Sequence, residues 1–316
     1  MENAMSTPVP ELLPGEEVPF GKIASAMARG ICQDAGAMRA LVATVVAIGP
    51  IEKLHAAAGT LQRVGDAGTV RGILISEGHN PAPSARVAGN TVSLEGLKAS
   101  YVNNAVAALR LSSLPTLVWW CGGRLDTLDG IADLADRIVL DEERPQEGWR
   151  RAATLFEDSA FSDLRWARLT QWRALMAHFF DIPEVLAASP GFTHVRIDGA
   201  DRPSAALFAA WLTSSIPFRA PPSVELAHDD GDGQRPIGAI RLGDGEQELA
   251  IQMAGSRTCL ETSVSVRGHQ SGSRIVSLGD QSPAGLLTEE LRIRARDVAF
   301  ERAIRTIVSQ TPATIG

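Results

Sequence analysis

The chain has 316 residues, 45% of them hydrophobic and 21% charged, which is enough apolar mass for a substantial core and long enough that two domains are the default expectation. Thirty Lys and Arg against 37 Asp and Glu give a net charge of -7, so the chain offers no basic footprint for nucleic acid or an anionic membrane. The longest strongly apolar run, LVATVVAIG at 41–49, is less than half of the roughly 20 residues a membrane helix needs. The opening MENAMSTPVPELLPGEEVPF carries acids and prolines where a signal peptide carries a basic and then an apolar stretch, so a cytoplasmic protein is expected.

In chain order, residues 1–19 read as a polar, proline-punctuated, disordered tail. MRALVATVVAIG at 38–49 is a β-branched strand, and the helix behind it places Ile51, Leu54, Ala58, Leu61 and Val64 at near-helical spacing. VRGILIS at 70–76 is a second strand, and RVAGNTVSLEG, with a Gly89-Asn90 turn, suits a hairpin or edge strand. SYVNNAVAALRLSSL at 100–114 is helical, with Val102, Val106, Leu109 and Ser113 along one stripe. TLVWWC is a third long apolar strand, LDTLDGIADLAD its helix, and RIVLD at 137–141 a fourth strand. Neighbours on a strand point to opposite faces, so Trp119 and Trp120 are expected to pack under helices on both sides. The alternation predicts an α/β domain over 20–162, a mostly parallel Rossmann-like sheet with helices on both faces, closed by the helix EGWRRAATLFED.

After residue 162 the grammar changes. TQWRALMAHFFD is a helix with Thr170 placed as N-cap, its apolar face made by Trp172, Leu175, Met176, Phe179 and Phe180. The strand FTHVRID and the helix AALFAAWLTSSI follow, then the short period-two segments SVELAH, PIGAIRL, ELAIQM, CLETSVSV and SRIVSL separated by turn-rich linkers. LLTEELRIRARDVAFERAIRTIV reads as one long helix beginning after Pro283, packing Leu291, Val298 and Ile304 on the sheet. Residues 163–316 are therefore expected to form an α+β domain with an antiparallel sheet and a long C-terminal helix.

The chain mostly departs from the motifs of known chemistry. A dinucleotide cradle requires GxGxxG between strand and helix, whereas TLVWWC is followed by GGRLDTLDG, with Arg124 and Asp126 filling the turn, which reads as a structural βα turn. P-loop, nucleophile-elbow and HExxH patterns are missing, and the six histidines sit singly. Cys32, Cys121 and Cys259 are far apart without a CxxC pair, so neither a zinc site nor a metal or cofactor is expected, and Cys121 reads as a small buried hydrophobe. Asp229, Asp230 and Asp232 resemble part of a calcium loop but lack its closing glutamate and flanking helices, so a hairpin turn is expected there. His79, in GHNPAP after a parallel strand, and Arg124 are the candidate crevice residues at the strand ends. The densest Arg and Trp cluster, RWARLTQWR, supplies Arg165, Trp166, Arg168, Trp172 and Arg173 as a candidate partner interface, because these residue types concentrate at the energetic centres of interfaces.

LPTLVWWCGG, LADRIVLD and DLRWARLTQWRALMAHFFD, in that order and spacing, resemble the OpcA family of glucose-6-phosphate dehydrogenase assembly proteins, over about residues 36–310 and including AALFAAWLTSSI. The family's D-L-x-W-T-R-L-T-P-W-R-E segment is matched at Asp163, Leu164, Trp166, Arg168, Leu169, Thr170, Trp172 and Arg173, with Ala167, Gln171 and Ala174 as departures. An H-P-x-R stretch usual before the second strand is not evident at GTVRG, and Ser113 replaces the usual Asp before LP. The resemblance implies a non-catalytic accessory protein whose partner is glucose-6-phosphate dehydrogenase, promoting its assembly and activity. It does not imply the dehydrogenase itself, whose GxxGxxxxR turn and RIDHYLGK segment have no counterpart here. Two rival readings stand beside it: a phosphosugar- or nucleotide-binding enzyme using the strand ends near Ser76 to Asn80 and Cys121 to Arg124, and a metabolite-sensing regulator using the same crevice.

Overall fold

The structure, a computed structural model, describes residues 12–33, 40–67, 70–78, 83–199, 201–227, 237–266, 269–293 and 295–310. The chain divides into two compact units, one comprising Met1–Glu142 with Leu287–Arg294 and the other Glu143–Leu286 with Ala295–Gly316. The division at 142/143, not 162/163, follows from packing. The helix over Gln146–Leu155 joins the second unit, where its Trp149 is hydrogen-bonded to Asp163.

The first unit contains β1 (Glu16–Glu17), α1 (Ile23–Gln33), β2 (Ala43–Ile48), α2 (Ile51–Ala67), β3 (Val70–Glu77), β4 (Ser84–Ala88), β5 (Thr91–Leu97), α3 (Ala99–Leu109), β6 (Thr116–Trp120), α4 (Leu125–Ala132) and β7 (Arg137–Leu140). Its strands lie in the order β1-β4-β5-β3-β2-β6-β7. β5, β3, β2, β6 and β7 are mutually parallel, while β4 and β1 add an antiparallel edge. The parallel strands are apolar throughout because both faces are covered: every residue of β2, β6 and β7 is buried, Trp119 and Trp120 included. On α2 the buried stripe is Leu54, Ala57, Leu61 and Val64. The α3 helix stops at Leu109, before Ser113, because Arg110 is already extended (φ -65°, ψ 154°). The expected disordered tail is corrected at residues 12–19: Leu12, Leu13 and Val18 are buried, and Glu16 and Glu17 pair with Val87 and Arg86.

The second unit holds α5 (Gln146–Leu155), β8 (Ala160–Asp163), α6 (Leu164–Arg168), α7 (Thr170–Phe179), α8 (Pro183–Ala188), β9 (His194–Asp198), α9 (Arg202–Ser215), β10 (Ser223–Ala227), β11 (Ala239–Gly243), β12 (Glu248–Met253), β13 (Cys259–Val266) and β14 (His269–Ser277). Six strands form a sheet in the order β10-β9-β11-β12-β13-β14, antiparallel except for the β10 and β9 pair. Inward residues alternate along it, as in β13, where Leu260, Thr262, Val264 and Val266 are buried.

The expected long C-terminal helix is instead two, α10 (Pro283–Glu290) and α11 (Val298–Gln310). Asp297 causes the second start: its side chain accepts the backbone N–H groups of Ala299 and Phe300 at 3.1 and 3.0 Å, an N-cap that competes with a continuing helix. Ile304 is buried as expected, but Val298 is exposed and Phe300 takes its place in the interior. Phe300 meets Phe156 and Trp166 at ring-centroid distances of 6.4 and 5.5 Å.

Candidate functional site

Carboxylates stand at the ends of two of the first unit's parallel strands and at the start of the helix after a third. Glu77 closes β3, Asp141 follows β7, and Asp126 stands in the first turn of α4. Arg124 is exposed and paired with Asp126 at 2.7 Å, and its backbone N–H donates to Glu77 Oε2 at 3.3 Å. Gly122 and Gly123 adopt φ values of +125° and +149°, so the glycine pair serves the tight turn, with Gly123 lying against the Trp120 ring. Among the described residues this rim is acidic and its arginine is paired, an arrangement that does not favour a pyrophosphate. His79, the other crevice candidate, and the Asp229, Asp230 and Asp232 turn lie outside the described residues.

Cys121 follows the last residue of β6 and is buried, against Gly49. Burial pushes its thiol well above the ordinary value, and the neighbouring Asp141 charge adds to the rise. A thiol without thiolate is a poor nucleophile, so alkylation of Cys121 by iodoacetamide near neutral pH should be slow in the folded protein and fast in denaturant, and Cys121→Ser should leave function intact. Rapid native-state labelling with loss of function would reverse that assignment.

The Arg and Trp cluster sits in the second unit and is largely turned inward. Its organiser is Asp163, fully buried at the end of β8. As N-cap of α6, its Oδ1 accepts the Arg165 backbone N–H at 2.7 Å, and its Oδ2 accepts Trp149 Nε1 at 2.9 Å. Trp166 is buried, donates through Nε1 to Asp297 Oδ2 at 2.7 Å, and has the Arg173 guanidinium 3.5 Å over its ring. Trp172 is buried on α7 together with Leu175, Met176 and Phe179. Arg165, Trp166 and Trp172 are therefore almost fully buried, whereas Arg168 and Arg173 remain half-buried. Thr170 does not cap α7. The Leu169 N–H bonds directly to carbonyls of α6, which runs almost without a break into α7, and the Thr170 hydroxyl accepts from Arg173.

Beside this segment lies a cavity of about 290 Å³, lined by Arg165, Arg168, Trp172, Asp201, Met253, Arg257 and neighbouring polar and apolar side chains. Arg165 is 2% exposed, yet its Nε and Nη1 have no hydrogen-bond acceptor: the nearest carboxylate oxygens, on Asp201 and Asp163, stand at 3.6 and 3.7 Å. Each buried donor left without an acceptor costs about 1–3 kcal/mol. Asp201 is held back by its own task as N-cap of α9, accepting the Ser204 N–H and hydroxyl at 2.9 Å each. Arg257, in the turn after β12, adopts φ +55°, a left-handed conformation that costs a non-glycine residue about 1–2 kcal/mol. Sequence reasoning found Arg165, Arg168 and Trp172 but not Asp201 or Arg257, which lie far along the chain. Asp201 carried a readable signal, an acid followed by Arg-Pro-Ser at a helix start.

Residues 159–304 match a family described as the C-terminal domain of the glucose-6-phosphate dehydrogenase subunit. No match was found among curated proteins. Among solved structures, this chain is similar to the aldose-aldose oxidoreductase from Caulobacter crescentus, complexed with glycerol, at 9% identity and a TM-score of 0.35, covering 85% of this chain and 96% of that one. Asp163, Trp166, Trp172 and Asp201 all lie within the matched residues, and the match supports the resemblance of this chain to the OpcA family of glucose-6-phosphate dehydrogenase assembly proteins.

Proposed function

We propose that this chain is a non-catalytic, cytoplasmic accessory protein that binds glucose-6-phosphate dehydrogenase and promotes its assembly or allosteric activation. The observation that carries this reading is the family match over residues 159–304. The geometry of the first unit supports it, since the strand-end turn where an α/β enzyme would hold its cofactor is occupied by the Arg124 and Asp126 pair under Glu77. Among the described residues no helix is long and apolar enough to cross a membrane, and no cluster of His, Cys, Asp and Glu could hold a metal ion. Within the Arg and Trp segment, the rim formed by Arg168 and Arg173 is the part left for a partner, because the tryptophans beneath it are committed to the interior.

Mixed with its cognate dehydrogenase, the purified protein should raise the rate of glucose 6-phosphate oxidation or shift the enzyme's oligomer size in sedimentation, and should turn over no substrate alone. Turnover by the isolated chain, or no effect at large molar excess, would count against the reading. Arg168→Ala and Arg173→Ala, each checked for melting temperature, test the rim: unchanged melting with weaker dehydrogenase binding supports it, and normal binding by both moves the contact surface elsewhere.

A further inference from the structure

The cavity beside α6 has the makings of an anion site. Three guanidinium groups, on Arg165, Arg168 and Arg257, line it against a single carboxylate, Asp201, whose two oxygens are engaged by Ser204. With Asp163 behind Arg165 counted as well, an excess of one to two positive charges remains. Arg165 is almost fully buried and two of its donors lack an acceptor, a state that persists in a folded protein when something else supplies the acceptors. Arg257 is exposed but held in a strained backbone conformation at the cavity's edge, and such strain concentrates where a ligand is gripped. Trp172, Met253 and Leu278 supply apolar lining. The volume corresponds to roughly ten waters, room for a small metabolite and too little for a dinucleotide.

We propose that this cavity binds a small phosphomonoester, the phosphate oxygens taking the free donors of Arg165 with Arg168 and Arg257, and the body of the molecule lying against Trp172. Guanidinium forks match the geometry of phosphate oxygens, and a phosphomonoester carries about -1.5 to -2 charges at neutral pH, which meets the excess that the lining leaves. A monocarboxylate balances the excess only where Asp163 is counted, and a neutral sugar balances none of it. The inference stands on the cavity alone and needs no dehydrogenase for its first test, so it and the accessory reading can fail separately.

The test is calorimetric titration of the full chain, with thermal melting alongside, using glucose 6-phosphate and glycerol 3-phosphate as probes. Glucose, glycerol, inorganic phosphate and sodium chloride at matched ionic strength are the controls. Both esters should bind at one per chain and raise the melting temperature, and the unphosphorylated parents should not. Arg257→Ala removes an exposed side chain from a strained turn, so it should fold normally and weaken ester binding by about tenfold or more. Arg168→Ala should act in the same direction. Absence of binding by either ester, an equal response in Arg257→Ala, or an equal response to chloride would overturn the site and leave only ordered water on Arg165. Inorganic phosphate binding as tightly as both esters would overturn the assignment of a phosphomonoester.

Discussion

Replacing Asp163 with alanine should lower the unfolding free energy by about 3–5 kcal/mol, the range for removing one member of a buried charge pair. Two N–H groups lose their acceptor at once, the Arg165 backbone N–H at the start of α6 and the Trp149 indole N–H, and the Arg165 guanidinium loses one of its two carboxylate neighbours, keeping Asp201. The site is fully buried, so water cannot replace the carboxylate without opening the packing around Trp149 and Phe161. Asp163→Asn should lose less, because its amide oxygen still accepts from one N–H, although Arg165 then keeps only Asp201 as a counter-charge. Chemical denaturation of the three proteins at neutral pH measures the series, and an Asp163→Ala loss below that of Asp163→Asn would sink the account.

The pH dependence of the same carboxyl has a definite sign. Burial raises its pKa above the ordinary value, against the downward pull of the Arg165 charge and of the Trp149 and Arg165 hydrogen bonds. A folded-state value above the unfolded one, near ~3.9, means that the folded protein binds the proton more tightly. Its contribution to stability is therefore greatest at low pH and falls as pH rises from the ordinary carboxylate range through the folded value. Asp163→Asn removes that slope from the stability profile.

The strands were readable because burial on both faces leaves a continuous apolar record: ATVVAI and TLVWW are buried at every residue, and no other local arrangement of that length suits such runs so well. The amphipathic stripe of α7 was readable for the equivalent helical reason, with Trp172, Leu175, Met176 and Phe179 all inside. The unit boundary was not. EGWRRAATLFED shows which face it buries but carries no mark of what it buries against, and its neighbours, Phe161 and Phe300, are supplied later in the chain. The site was legible in its residue types and illegible in its exposure for the same reason. Trp166 is tied to Asp297 across 131 positions, and the charges that meet Arg165 around the cavity come from Asp201 and Arg257. Periodicity reports a face, while the inward turn of an arginine depends on acceptors that only the fold assembles.

Trp172→Ala should destabilise the second unit by about 3 kcal/mol, the low end of the 3–5 kcal/mol typical of large aromatic truncations. The side chain is 2% exposed and packs with Leu175, Met176 and Phe179 on the buried face of α7, so the lost transfer of its apolar surface sets most of the cost. What brings the value towards the lower end is its position on the wall of the 290 Å³ cavity. The void left by truncation merges with space that already holds polar groups, so water can enter it and the cavity contribution shrinks. Trp149, buried with no place in that lining and hydrogen-bonded to Asp163, lacks this relief, and Trp149→Ala should cost more than Trp172→Ala. Trp172→Phe keeps an aromatic wall and should lose less than either. Urea midpoints with unchanged slopes give the ordering directly. If Trp172→Ala proved the most damaging of the three, the residue would be serving as a keystone of the core, and its place on the cavity wall would have no bearing on its energetics.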